Sequence, residues 1–215
     1  MANNPNNLWV EDHDTKGVVI GLMRHHIHWP RDEDEDKWPV KIEVQQGVDN
    51  VLDKKALVLS LKNTELVALG LIVDADSSFS SRWDRIRNIC LGLGGAPSEN
   101  FPPDGLILDI AGKRLGVWIM PDNKSDGMLE NFCHALVPED GKPLLDYARR
   151  CLDDAKALGA SYKPDQVEKA HIHTWLAWQN PPGLRIGMAL TKKILTPHSQ
   201  TAKRFVSWFK ELFQV

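Results

Sequence analysis

Leu66-Val67-Ala68-Leu69-Gly70-Leu71-Ile72-Val73, followed at once by Asp74-Ala75-Asp76, is the stretch whose reading decides the fold. A continuous aliphatic run without polar alternation fits a central strand covered on both faces, as in a largely parallel α/β sheet. Toward the N-terminus, Leu8-Trp9-Val10 forms a short first strand that ends in Glu11. The carboxyl ends of neighbouring strands in an open α/β sheet converge on one crevice. Glu11, Asp74 and Asp76 can therefore meet there although about sixty positions separate them. Hard carboxylate oxygens in such a place suit Mg²⁺ or Mn²⁺. Solvated strand ends or helix N-caps are the competing explanation for the same residues.

Between these motifs the pattern repeats strand then helix. Asp14 offers an N-cap to a first helix with Val18, Val19, Leu22 and Met23 at helical spacing. Residues 30–39 carry five successive acids between two prolines and read as an acidic surface loop. Val40 to Val44 alternates as a strand, and Asn50 to Leu61 fits one helix. Ser80 to Leu91 is a helix bearing Trp83, Ile86 and Cys90, stopped by Gly92-Leu93-Gly94-Gly95. Those glycines follow a helix and lack a closing Gly-Lys-Ser/Thr, so they form no phosphate loop.

Leu106 to Ile110 and Leu115 to Met120, joined by Ala111-Gly112-Lys113-Arg114, read as a hairpin that makes the sheet mixed. Met128 to Ala135 and Pro143 to Leu158 are helices, Lys169 to Trp178 fits helix or strand, and the last amphipathic helix carries Phe205, Trp208, Phe209, Leu212 and Phe213. The expected architecture is one α/β domain over residues 1–215, with a mixed, mainly parallel sheet and helices on both faces. Residues 164–215 are expected as a C-terminal extension packed on the core.

The chain's 215 residues and 42% hydrophobic content suffice for a sizeable core. A formal charge of −3 excludes a global basic field that would draw the protein to nucleic acid. Cys90, Cys133 and Cys151 lack metal-knuckle or disulfide spacing and are expected as reduced thiols. The polar N-terminus, Met1 to Asn7, has no leader pattern and no apolar run reaches membrane-span length, so a cytoplasmic, soluble protein without membrane contact is expected.

The order of parts resembles the Toprim fold, a Rossmann-like arrangement shared by topoisomerases, primases and OLD-family nucleases. The closer resemblance is to small single-domain bacterial and archaeal Toprim-like proteins of unassigned function. Four segments carry it: Leu8-Trp9-Val10-Glu11; Val73-Asp74-Ala75-Asp76 with Arg82-Trp83; Gly116 to Asn123 leading into Gly127-Met128-Leu129-Glu130; and Trp175-Leu176-Ala177-Trp178 before the final helix. Asp12 stands where that family commonly places glycine, which leaves open either a changed first turn or an additional ligand.

The resemblance implies a metal-dependent nuclease in which Asp74 and Asp76 coordinate Mg²⁺ and Glu11 serves as ligand or general acid/base. It extends to a phage-defence effector working beside an ABC-class ATPase, with DNA or RNA as substrate and self-association left open. Asp14, Asp122, Asp126 and Glu130 are candidates for a second metal, against capping roles. Arg82, Arg85 and Arg87, or Lys113 and Arg114, are candidates to grip phosphate, against a merely charged surface.

His25, His26 and His28 close the first helix, and His171 with His173 would share a strand face. Neither group has a third ligand at a recognisable spacing, so histidine metal binding is not expected. Trp118 and Trp175 read as core aromatics, and Tyr147 and Tyr162, the only tyrosines, give no clear nucleophile for topoisomerase chemistry. A different class of function, a non-catalytic metal-stabilised interaction module, fits the acidic balance and Asp12.

Overall fold

Five strands, β1 (Asn6–Val10), β2 (Lys41–Val44), β3 (Ala68–Asp74), β4 (Leu106–Ile110) and β5 (Lys113–Met120), form one sheet in the order β2-β1-β3-β5-β4. This is a computed structural model and describes residues 4–215; Met1 to Asn3, where the polar N-terminal stretch begins, lie outside it. The β1–β2, β1–β3 and β3–β5 pairings are parallel, and β4 runs antiparallel to β5. The sheet is therefore mixed and mainly parallel, in a Rossmann-like α/β fold. Val10 pairs with Val44 and Ile72, and Asp74 with Met120, so the carboxyl ends of β1, β2, β3 and β5 share one edge.

Each strand's side chains alternate between two apolar layers. On one side lie Leu8, Val10, Ile72, Trp118 and Met120, covered by α1 (His13–Met23), α5 (Leu129–His134), α6 (Lys142–Ala157), α7 (Val167–Ala177), α8 (Ile186–Thr191) and α9 (Gln200–Phe213). On the other lie Trp9, Leu69, Leu71, Val73, Val117 and Ile119, covered by α2 (Val48–Val51), α3 (Lys54–Leu61) and α4 (Phe79–Gly92). Trp118 and Trp175 are buried, as expected of core aromatics.

The C-terminal segment is more than an extension, because α7, α8 and α9 help build one entire covering layer. The reason for the fit of α9 lies in two paired glycines, Gly70 on β3 and Gly116 on β5. A side chain on Gly70 would lie 2.9 Å from the Phe213 ring, and one on Gly116 would collide with Leu212. The notch lets α9 bury Phe205, Trp208, Phe209, Leu212 and Phe213 against the sheet. Full burial of such side chains contributes about 1.5–3 kcal/mol each.

Local chemistry corrects several sequence expectations. Asp12 rather than Asp14 caps α1: its carboxylate accepts from Thr15 N and Thr15 Oγ1, both at 2.8 Å. With φ of −144°, Asp12 is extended and meets no glycine-like demand. Asn50 to Leu61 splits into α2 and α3 because Asp53 begins a new helix by accepting from Ala56 N at 2.7 Å.

The acidic stretch is on the surface but folds as a 3₁₀ segment, Asp32–Lys37, between two buried tryptophans, Trp29 and Trp38. Residues 167–177 are helical, so His171 and His173, two positions apart, face different directions. Among the described residues no helix is long and apolar enough to cross a membrane.

Candidate functional site

The carboxyl edge of the sheet gathers acids from three places in the chain. Glu11, just past β1, accepts a hydrogen bond from Asp74 N at 2.8 Å through Oε1. Asp74, the last residue of β3, accepts through Oδ1 from Leu129 N at 3.0 Å. Glu130, the next residue of α5, is buried at 6% exposure. That bond turns the start of α5 toward β3 and brings Glu130 to the same mouth.

Burial is the first cause that raises the Asp74 carboxyl well above the usual carboxylate range, followed by the charges of Glu11, Glu130, Asp76 and Asp12. Burial also raises Glu11; the Asp74 N–H bond opposes it and the Asp76 charge adds to it. Glu130 is raised by burial, a bond to its own backbone N–H and the nearby Lys169 ammonium opposing, with Asp12 and Asp14 adding repulsion. A cluster in which three carboxyl groups are pushed toward their neutral forms is one that a cation would relieve.

Two cationic side chains already answer part of this charge. Arg82 donates from Nε to Asp74 O at 2.7 Å and from Nη2 to Asp76 Oδ2 at 2.6 Å. Lys169 Nζ lies 3.7 Å from Asp14 Oδ2 and 3.8 Å from Glu130 Oε1, between the two acids. Asp76 itself is left-handed at φ 56°, a conformation Asp tolerates better than most residues. Its backbone exchanges two 2.8 Å hydrogen bonds with Gly127, which fixes the turn. Two clefts flank Asp76, one of about 580 Å³ with Gly127, Asn131 and Glu168 and one of about 290 Å³ with Ser78, Arg82 and Arg85.

The candidate residues thus divide. Glu11, Asp74 and Glu130 come together, with Asp76 and Asp12 adjoining and Asp14 on the far side of Lys169. Asp122 is taken up in its own turn, accepting from Ser125 N at 2.9 Å and Ser125 Oγ at 3.1 Å. Asp126 accepts from Phe79 N at 2.7 Å and so caps α4 from a distant loop.

Arg85 lines a cleft beside Asp76 but is paired with Asp49 at 2.7 Å. Arg87 donates to Ser98 O at 3.3 Å and takes no part in the mouth. Lys113 and Arg114 sit at the start of β5, roughly 20 Å of strand away from the acidic edge at about 3.3 Å per residue. There Lys113 binds the carbonyls of Asn63 and Leu66, and Arg114 binds that of Leu212 at 2.6 Å. They tie the opposite end of the sheet together and cannot hold phosphate at the acidic mouth.

The donor set is of the hard kind that Mg²⁺ or Mn²⁺ takes, but Glu11, Asp74 and Glu130 do not all bring a ligand atom within 4.8 Å of one another. Its oxygens belong to carboxylates, and among the described residues no hydrogen bond engages Glu11 Oε2 or Asp74 Oδ2. Glu11, Asp74 and Glu130 would have to draw closer to hold one ion together. Asp76 would share its carboxylate with Arg82, which engages only Oδ2. Sequence reading missed Lys169, because nothing local in residues 167–177 points to a partner on α1 or α5.

No curated protein and no solved structure matches this chain. A family match does cover residues 5–214, and the chain accordingly belongs to the family described as Protein of unknown function (DUF3226).

Proposed function

We propose that the protein is a divalent-metal-dependent phosphodiesterase acting on nucleic acid, organised at its acidic mouth as in the Toprim nucleases it resembles. The observation that carries this reading is the convergence of Glu11, Asp74 and Glu130 at the carboxyl edge, with Glu11 bonded to the backbone of Asp74. A bound Mg²⁺ would supply Lewis-acid polarisation of a phosphodiester oxygen and lower the pKa of water. Glu11 would take a proton: burial raises its affinity for one, and the Asp74 N–H holds one of its oxygens.

Asp74 and Glu130 would become the charged ligands once an ion offsets the burial and repulsion that raise their pKa, while Arg82 and Arg85 line the adjoining cleft where phosphate would lie. The formal charge of −3 leaves delivery of DNA or RNA to this local pair or to a partner such as an ABC-class ATPase. A cytoplasmic phage-defence role, with Cys90, Cys133 and Cys151 as free thiols, belongs to the same reading.

One observation favours a second reading, a metal-stabilised interaction module without catalysis. Arg82 already pairs with Asp76, and Lys169 already stands beside Glu130, so the protein neutralises part of the cluster itself. The deciding experiment incubates wild type, Glu11→Ala and Asp74→Ala with plasmid, single-stranded DNA and tRNA in Mg²⁺ or Mn²⁺. Cleavage by wild type alone supports the phosphodiesterase. Mg²⁺-dependent thermal stabilisation without cleavage of any substrate supports the module.

A further inference from the structure

Beyond the acidic mouth, the other end of α5 carries a second cluster of different chemistry. His134 from α5 meets Glu168 and His171 from α7, and one ligand atom from each of the three lies within 4.8 Å of the other two. Glu168 and His171 are three apart on one helix, the Glu-x-x-His spacing that projects a carboxylate and an imidazole from the same face. With residues 167–177 helical, His171 is grouped with Glu168 and His134 and not with His173, the partner a strand would have given it.

The protonation pattern follows from the partners. His171 is 5% exposed, and its Nε2 lies 2.7 Å from Leu145 O. A carbonyl only accepts, so Nε2 carries a proton and Nδ1 is the nitrogen left to offer a lone pair to a cation. That Nδ1 is buried without a hydrogen-bond partner. A ring nitrogen bonded to a backbone carbonyl with its opposite nitrogen free is the orientation that metal-bound histidines adopt.

His134 Nδ1 lies 3.2 Å from Glu168 Oε2, while its Nε2 is likewise buried without a partner. Burial, with the neighbouring His171 adding, lowers the His134 pKa to about 4, so the ring is neutral near pH 7. The two rings lie with centroids 4.5 Å apart. Two imidazoles, each with a buried ring nitrogen that has no partner, leave an energetic deficit that a shared cation would remove.

We propose that His134, Glu168 and His171 form a binding site for a borderline transition-metal ion, Zn²⁺ in the first instance. Two imidazole nitrogens and one carboxylate select such an ion over Mg²⁺ and leave a coordination position open. Glu168 also lines the cleft of about 580 Å³ that reaches Asp76, so the open position has an approach from solvent. The carboxylate of Glu168 is shared: Arg149 Nη2 donates to both its oxygens, at 2.7 and 2.8 Å. A carboxylate has about four lone-pair sites, and one nitrogen does not exhaust them. The guanidinium charge nevertheless opposes an incoming cation, so its removal tightens binding.

The test titrates Zn²⁺ into the full chain, stripped with chelator and held in excess Mg²⁺, by calorimetry, with Co²⁺ absorption as a second readout. One equivalent is expected. His134→Ala and Glu168→Gln each weaken binding at least about 10-fold, equivalent to about 1.4 kcal/mol. Arg149→Met strengthens it, and Asp74→Ala and Cys151→Ser leave it unchanged. His171→Ala enters only where circular dichroism confirms the native fold, since His171 is buried; the two partly exposed positions carry the test without it. Absence of Zn²⁺ binding by wild type, or undiminished binding in folded His134→Ala and Glu168→Gln, overturns the proposal.

Discussion

The acidic mouth and the histidine cluster are both reached from α5, yet they present opposite chemistry. At the first end of this helix Leu129 N anchors Asp74 and Glu130 adds a buried carboxylate. At the other end His134 lies beside Glu168 and the His171 ring. The mouth is an excess of negative oxygen that burial makes costly; the cluster is a deficit of donors around neutral nitrogen. Repulsion in the mouth calls for a hard cation, whereas unfilled lone pairs in the cluster call for a borderline one. A helix of six residues thus positions two candidate sites that would select their ions by ligand type.

The largest expected effect separates them outright. In wild type, Mg²⁺ at about 100 times its Kd adds about 2.7 kcal/mol of stability by mass action. Asp74→Ala should lose that gain and any nucleic-acid cleavage, whereas His134→Ala should keep both. Thermal unfolding with and without Mg²⁺, alongside the cleavage panel, reads the outcome. If His134→Ala abolished the Mg²⁺ response as well, the two sites would have to be treated as one.

The two sites were also unequally legible in the sequence. The aliphatic run ending at Asp74 reveals its strand because a doubly covered strand needs no polar alternation, and Glu11 follows from the same logic at β1. The convergence on one edge then follows from parallel pairing. Lys113 and Arg114 were misplaced because a hairpin turn gives no indication of which end of the sheet it occupies; parallel pairing of β5 with β3 puts that turn opposite the mouth.

The Asp14 cap failed because Asp12-His13-Asp14 offers two carboxylates at nearly the same place, and Thr15 decides for Asp12 by giving it two hydrogen bonds. The histidine cluster was hidden by the helix-or-strand ambiguity around His171-Ile172-His173. Read as a strand, that stretch points its histidines together and hides the Glu168 partner; read as a helix, it pairs Glu168 with His171. Contacts from α5 to β3 and α7 lie far apart in sequence, and no local pattern encodes them.

A smaller effect tests whether repulsion characterises the mouth. Asp74, Glu11 and Glu130 all have folded-state pKa values raised above their unfolded values. The folded protein therefore binds more protons than the unfolded chain between those values, and stability falls as pH rises through the folded pKa. Asp74→Asn keeps an oxygen for Leu129 N but removes the charge. Without divalent metal it should raise the Tm above neutral pH, on the scale of about 1 kcal/mol or about 2–4 °C for a chain of this size. The advantage should shrink on acidification as the wild-type carboxyl groups take up protons. A difference that stayed constant with pH would mean that packing, rather than charge, distinguishes the variant.

The smallest effect probes the boundary between the two sites. Glu168 and Lys169 are adjacent on α7 yet point to different clusters, the carboxylate toward His134 and the ammonium toward Asp14 and Glu130. Lys169 is about half exposed, so its pairing is screened and worth about 0.2–1 kcal/mol. Lys169→Met should slightly lower the metal-free Tm and, by removing a competing cation, tighten Mg²⁺ binding by about 2–5-fold, with a smaller change for Zn²⁺. Calorimetric titration of both ions into this variant makes the comparison directly. Equal shifts would show that Lys169 acts through a general field over both clusters; unequal shifts, larger for Mg²⁺, would place it at the acidic mouth, where its ammonium would substitute for part of the cation proposed there.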